Sequence, residues 1–451
     1  MKTETAPLSL GTENISKLLI KYAIPAIVAM LATSLYNVTD SIFIGHGVGV
    51  DALSGLSITF PIMNLSVAFG SLIGVGAAAL LSIRLGQKDY EAANYILANV
   101  VLLNIIIGVL LSVLVLFFLD PILIFFGASP KTLPHAHDFM VIIMIGNIIP
   151  HIYMGLNALI RSEGYPKKAM IATIITILIN LILNPLFIFK FDWGIQGSAF
   201  ATVISQTLVL SWQIYFFTTK DSFMYFQKKF FSLKTNIIKG IFSIGLSPFI
   251  LNVLSCVVII LINKNLSIYG GDLAVGAYGI VNRVLFVLVM IVLGLNQGMQ
   301  PIAGYNYGAG LYHRVTEVLK KTTIIAVGIM TFGSLIAELF PQSVSSLFTS
   351  DRELISVTSV GMRYVLMTYC LVGFQTVAIT FFQSIGKAYI SIILSLSRQA
   401  IILIPLLLII PKYFGVTGVW LTMPIADLGA FIATIIVMHY QYKIFRRNGI
   451  M

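Results

Sequence analysis

Asp40, Asp427, Arg283 and Arg363 are charged side chains that fall well inside long apolar runs of this sequence. A charge at that depth is costly, so such residues are read first as functional. Asp40 is the sharpest of them. It closes the stretch Tyr36-Asn37-Val38-Thr39-Asp40, towards the far end of the first run. A carboxyl held away from water can exchange protons, or it can anchor a sodium ion among neutral oxygens; the alternative for Asp40 is a structural hydrogen-bonding role near the water interface. Suitable oxygens are at hand. Asn180 and Asn184 are spaced i, i+4 and share a helix face, as do Thr202 and Gln206. Asn37, with Thr33 and Ser34, adds polar positions to the helix of Asp40; these either line a cleft or bond within their own helix and its neighbours. Asp427 suits a second proton site, a substrate counter-charge, or an ion pair with Arg363 or Arg398. Arg283 suits a brace for its own helix region or a contact to substrate.

Other chemistries lack their residues. His135 and His137, spaced i, i+2, would not face together on a helix and have only Asp138 beside them, so no metal site is expected. Cys256 and Cys370 stand alone in apolar runs and give neither a disulfide framework nor a metal spacing. No phosphate-binding loop, zinc-protease helix, nucleophile elbow or cofactor fingerprint occurs. An ATP-driven pump would need a nucleotide-binding domain, and a membrane-embedded transferase would need clustered acidic residues for metal–pyrophosphate chemistry. The sequence has neither, so catalysis and cofactors are not expected.

The elements that must position Asp40 are membrane helices. The chain is 58% hydrophobic and only 10% charged, with mean hydropathy +0.96. A soluble domain carries about 25% charged residues. Apolar runs lie at 15–44, 52–82, 92–119, 135–160, 168–190, 194–218, 237–268, 274–304, 314–340, 354–384, 387–411 and 416–444. Each suffices for a span of about 20 residues, which predicts an all-α integral membrane protein of twelve transmembrane helices. Pro25, Pro61, Pro150, Pro185, Pro248, Pro301 and Pro405 lie within or at the ends of runs and mark candidate bends. With both termini cytoplasmic, 21 of the 28 Lys and Arg, Arg398 among them, fall on the cytoplasmic side and 5 on the other. The net charge of +11 is then a matter of loops facing anionic lipid and not of nucleic acid.

The run order repeats. Pro25 and Asp40 pair with Pro248 and Asn263; Ala52, Gly76, Gly86 and Tyr90 recur 222 positions later as Ala274, Gly298, Gly308 and Tyr312. Gly194 and Gly197 recur 221 positions later as Gly415 and Gly418. Two six-helix halves enter the membrane in the same sense, a parallel repeat suited to alternating access. The expected boundaries are an N-terminal lobe at 1–218, a cytoplasmic linker at 219–236 and a C-terminal lobe at 237–451.

Several stretches together carry a family resemblance. They are Ala23-Ile24-Pro25 with Asp40-Ser41-Ile42-Phe43-Ile44-Gly45, Gly86-Gln87-Lys88-Asp89, Asn180-Leu181-Ile182-Leu183-Asn184-Pro185-Leu186 and Gly194-Ile195-Gln196-Gly197-Ser198-Ala199. In the second half they are Ala277-Tyr278-Gly279-Ile280 with Arg283, Gln300-Pro301 and Gly304-Tyr305-Asn306-Tyr307-Gly308-Ala309. With these the chain resembles the multidrug and toxic compound extrusion antiporters of prokaryotes. The resemblance implies two pseudo-symmetric six-helix lobes forming a V-shaped central cleft. It implies export of amphipathic, often cationic small molecules against inward Na+ or H+; a bacterial inner membrane and a monomer are expected alongside. It maps the cation site onto Asp40, Asn180, Asn184 and Thr202, and leaves Asn37, Gln206, Arg283 and Asp427 as candidates for substrate or a second proton. The helix position that is commonly Asp in prokaryotic relatives is Asn184 here, which leaves Asp40 as the site's one carboxylate. A lipid-linked oligosaccharide or peptidoglycan-precursor flippase of the same superfamily is the alternative. It would be expected to have a strongly cationic cleft, whereas the in-span charges here are sparse.

Overall fold

The computed structural model describes residues 7–219 and 222–447. Lys2, Lys220 and the side chains of Arg446 and Arg447, all counted above towards the cytoplasmic side, lie outside that description. Every apolar run forms helix. The spans are α1 (Ile15–Gly47), α2 (Val50–Gly86), α3 (Tyr90–Phe117), α4 (Leu133–Ile145 with Ile148–Ser162), α5 (Pro166–Lys190) and α6 (Gly194–Thr218). The second set begins with one helical stretch, Thr235–Gly308, of 74 residues. At 1.5 Å per residue it would be about 110 Å long, several times a hydrocarbon core of about 30 Å. It is interrupted at Gly271, whose φ of 62° leaves the helical region, and so supplies two spans, α7 (235–270) and α8 (272–308). They are followed by α9 (Tyr312–Leu339), α10 (Arg352–Leu366 with Tyr369–Ser384), α11 (Ala388–Ile409) and α12 (Pro411–Arg447).

Departures from straight helices have local causes. α4 bends by 54° between its two segments. Pro150 has no amide for the carbonyl of Gly146, which lies at that break. α10 bends by 49° around Met367 and Thr368 with no proline near, so its run of apolar residues gives no warning. π-helical turns widen α5 at Leu186–Lys190, directly after Pro185, and α11 at Ser397–Leu403. The second includes Ile401, whose carbonyl loses its amide partner to Pro405. The outward faces are apolar: Leu110, Val113 and Leu114 of α3, and Ile432 and Ile436 of α12, are exposed, as expected of lipid-facing positions.

The chain divides into two compact units. The first comprises the short helix Pro7–Thr12 and Val28–Phe249; the second comprises Glu13–Ile27 and, of the described residues, 250–447. Each half therefore lends the opening turns of its first helix to the other unit. In the second unit Arg314 of α9 bonds Asn306 and the backbone carbonyl of Glu13, and Lys321 reaches Ser16.

The segment between α6 and α7 is pinned to the first unit. Asn94 of α3 accepts from the Tyr225 amide at 3.0 Å. Asn99, about a turn and a half further on, donates to the Ser232 carbonyl and accepts from the Lys234 amide. Glu163, just past the end of α4, is fully buried and accepts from the Ser222 hydroxyl and the Phe223 and Met224 amides. Burial pushes its carboxyl up to about 7 against the lowering pull of those three donors and of Lys168. A carboxyl raised by docking binds its proton more tightly when docked. Docking is therefore strongest below the ordinary Glu range, near 4.5, and weakens as pH rises through about 7. Hydrogen-exchange protection at 222–232, corrected for intrinsic rates, is expected to fall about tenfold or more from pH 5 to pH 8, and Glu163→Gln to flatten the profile. Equal protection at both pH values in the unmodified protein would contradict this.

Candidate functional site

Three i, i+4 pairs from three helices of the first unit meet. α1 contributes Tyr36 and Asp40, α5 contributes Asn180 and Asn184, and α6 contributes Ser198 and Thr202. One end of the cluster is built on the carboxylate: Asp40 Oδ1 accepts from Ser198 Oγ at 2.7 Å and from Asn184 Nδ2. The other end is built on Thr202, whose hydroxyl accepts from Asn180 Nδ2 at 3.1 Å and pairs with the Tyr36 hydroxyl at 3.1 Å. Asn184 Nδ2 also lies 3.4 Å from Asn180 Oδ1, which joins the two ends. Asn180, Asn184 and Ser198 are buried, Asp40 and Thr202 partly so.

Local sequence explains the convergence. The link between α5 and α6 is only 191–193, so the two helices must be antiparallel neighbours. Gly194 turns the chain with φ of 55°, a conformation that side chains rarely adopt. A Cβ on Gly197 would meet the Phe187 backbone at 3.0 Å, and that closeness brings Ser198 to the carboxylate. The repeat reproduces the device: Gly415 also has φ of 55°, and a Cβ on Gly418 would meet the Ile410 carbonyl at 2.9 Å. One turn beyond Asp40, Ile44 packs with Leu56, Phe139, Met144 and Ile195 in a buried apolar layer that closes the site on that side.

What this cluster can do follows from its donors and acceptors. It holds one carboxylate surrounded by two amides and three hydroxyls, with no basic partner among the described residues. Asn184 Oδ1 is buried without a hydrogen-bond partner, on the side chain whose amide nitrogen meets the carboxylate. An unmatched buried acceptor costs about 1–3 kcal/mol, which a small cation bound to it would relieve.

The remaining candidates scatter. Thr202 joins the cluster, but its expected companion Gln206 does not; the turn that matters is the preceding one, at Ser198. Asn37 is exposed on α1 and points away from the three-helix seam that Tyr36 and Asp40 share. Arg283 is exposed on α8. Asp427 of α12 is buried in the second unit and pairs with Arg398 of α11, Nε to Oδ1 at 2.7 Å, one of the arrangements the sequence allowed. Arg398 itself needs correction. It lies ten residues into α11, roughly 15 Å along the helix and not at its end, which removes it from the expected cytoplasmic set and leaves that expectation at 20 against 5. Tyr36 and Ser198 are the members that residue-type reasoning passed over, although both stand inside stretches that carry the resemblance.

The chain as a whole is similar to known proteins. The family model described as MatE matches the chain twice, over residues 25–186 and 244–409, once per half. The multidrug export protein MepA of Staphylococcus haemolyticus is 27% identical over 96% of this chain and 95% of its own length. MepA of Staphylococcus aureus strain MSSA476 is 26% identical over 94% and 93%. Among solved structures, one described as an outward-facing conformation of a multidrug resistance MATE family transporter of the MOP superfamily superposes with a TM-score of 0.92. It is 23% identical and covers 99% of this chain and 100% of its own. A MOP superfamily transporter from Pyrococcus furiosus matches with the same TM-score, identity and coverage. At that identity these structures speak for the fold.

Proposed function

The chain belongs to the MatE family, a family of membrane transporters and not of enzymes, and we propose on that premise that it exports amphipathic, often cationic small molecules in exchange for inward Na+ or H+. The observation that carries the coupling is the Asp40 cluster: one carboxylate in a seam of three helices of one unit, with a buried amide oxygen in the same cluster that lacks a partner. A site that is completed by a cation and strained without one can tie its occupancy to the arrangement of α1, α5 and α6. Asp40, Asn180, Asn184 and Thr202 are the proposed coupling residues, now joined by Ser198 and Tyr36. One carboxylate among neutral oxygens suits Na+, and the unpartnered Asn184 Oδ1 adds to that side of the balance.

With this reading go a bacterial inner membrane, cytoplasmic termini, a monomer, and a parallel pair of halves joined at 219–236. The test is efflux of a fluorescent cationic dye from proteoliposomes, with a sodium gradient and a proton gradient imposed separately. Efflux driven by one gradient is expected. Folded protein that moves no amphipathic cation under either gradient would overturn the antiporter reading.

A further inference from the structure

The second unit contains a buried charge pair that coupling at Asp40 does not use. Both oxygens of Asp427 are engaged: Oδ1 accepts from Arg398 Nε at 2.7 Å, and Oδ2 from the Thr368 hydroxyl at 3.2 Å, at the bend of α10. The carboxylate is only 1% exposed, but the Arg398 side chain is 25% exposed. A guanidinium carries five N–H donors, and Asp427 takes one. Among the described residues nothing bonds the two terminal nitrogens. Asp427 thus fixes the plane of the fork by its Nε edge and leaves the Nη edge open to accessible space. That edge is the one that receives carboxylates and phosphates in bidentate fashion.

Position and surroundings narrow the ligand. Arg398 lies roughly 15 Å into α11, near the middle of a hydrocarbon layer of about 30 Å, whereas lipid phosphates stay at the interface. It stands on the π-helical turn Ser397–Leu403, the kind of distortion often found at functional sites. The Tyr278 and Tyr369 hydroxyls lie within electrostatic reach of the guanidinium, and the Tyr278 ring packs at 6.2 Å against Trp420. Arg398 and Asp427 already sum to zero. A bare anion would leave the pocket negative, but an amphiphile that brings its own ammonium would not.

From this we infer that Arg398, positioned by Asp427 and Thr368, binds the carboxylate of zwitterionic amphiphiles, so that the transporter accepts amino-acid-like drugs as well as simple cations. The inference rests on the transporter reading for its biological meaning, but binding can be measured without transport.

The probes are rhodamine B, a carboxylate-bearing zwitterion, and its ethyl ester, a cation of nearly the same shape. Dye anisotropy is read with purified protein, empty micelles being subtracted. Arg398→Lys keeps the charge and loses the fork; the double variant Arg398→Gln/Asp427→Asn leaves no orphaned charge if the single one folds poorly. The ratio of acid to ester affinity is expected to fall about tenfold in both, as for loss of one charge-assisted hydrogen-bonded contact. A ratio unchanged in both variants, or no binding of the acid to the unmodified protein, overturns the site. Displacement of the acid by added phosphatidylglycerol would also overturn it, by assigning the fork to a lipid headgroup. Efflux of the ester from proteoliposomes reports separately on the transporter reading.

Discussion

Asp40→Asn is expected to slow gradient-driven efflux by about a hundredfold or more, and Ser198→Ala by about tenfold, in proteoliposomes with matched amounts of folded protein. The two sizes follow from what each change removes. Asp40 is the one carboxylate in the cluster, so its amide replacement removes the whole negative charge that a cation would meet. Loss of one member of a buried charge interaction costs on the order of 2–5 kcal/mol, and each 1.4 kcal/mol is tenfold. Ser198 contributes one hydroxyl, donated at 2.7 Å to that carboxylate. A hydrogen bond to a charged group is worth about 1.5–3 kcal/mol. The ordering carries more weight than the absolute factors. If Asp40→Asn kept full efflux that still followed the ion gradient, the coupling site would have to be sought elsewhere. If Ser198→Ala were as severe as Asp40→Asn, Ser198 would be holding α6 in place and not only tuning the carboxylate.

Much of this architecture is legible because a bilayer imposes simple rules. Charge-poor runs of sufficient length become spans, and glycine or proline punctuates them. The interruption between runs seven and eight falls at Gly271, between the expected ends at 268 and 274. The coupling cluster is half legible. Asp40 stands out because carboxylates are rare at depth, and Asn180 and Asn184 because they share a face. Ser198 does not stand out: serine beside glycine is an ordinary packing residue of membrane helices, and only the approach at Gly197 makes it a ligand of Asp40. Thr202 has neighbours at both i−4 and i+4, and sequence alone does not say whether Ser198 or Gln206 is aimed inward. Arg398 was misplaced for a related reason. An arginine near a basic loop reads as an interfacial anchor unless its acidic partner on another helix is known, and Asp427 is 29 residues away. The bend of α10, which brings Thr368 to that pair, has no proline to announce it.

Gly245→Ala is expected to destabilise the first unit by about 3 kcal/mol or more, at or beyond the usual range for overpacking. A Cβ on Gly245 of α7 would lie 1.7 Å from the Leu72 carbonyl oxygen of α2, and one on Gly76 of α2 would lie 2.2 Å from the Ile241 carbonyl oxygen. These are contacts of backbone with backbone, so no side chain can rotate away and the helices must part. Without water to drive association, membrane helices depend on such close packing. Separation here would also strain neighbouring contacts, because the Phe69 and Phe249 rings meet at 4.9 Å further along the same pair of helices. Lys234, at the start of α7, is tied to Asn99. The control is Gly328→Ala on α9, where a Cβ would meet nothing within 4 Å. There the change is expected to be neutral or to stabilise by about 0.5–1 kcal/mol, since alanine is the better helix former. Thermal melting of the two purified variants in the same detergent separates the cases. Equal melting would mean that α7 can shift along α2 at little cost, and the contact would then be a sliding surface and not a fixed seam. A large loss confined to Gly245→Ala and reproduced by Gly76→Ala would make it a seam, one that ties the opening turns of the second repeat to the first unit.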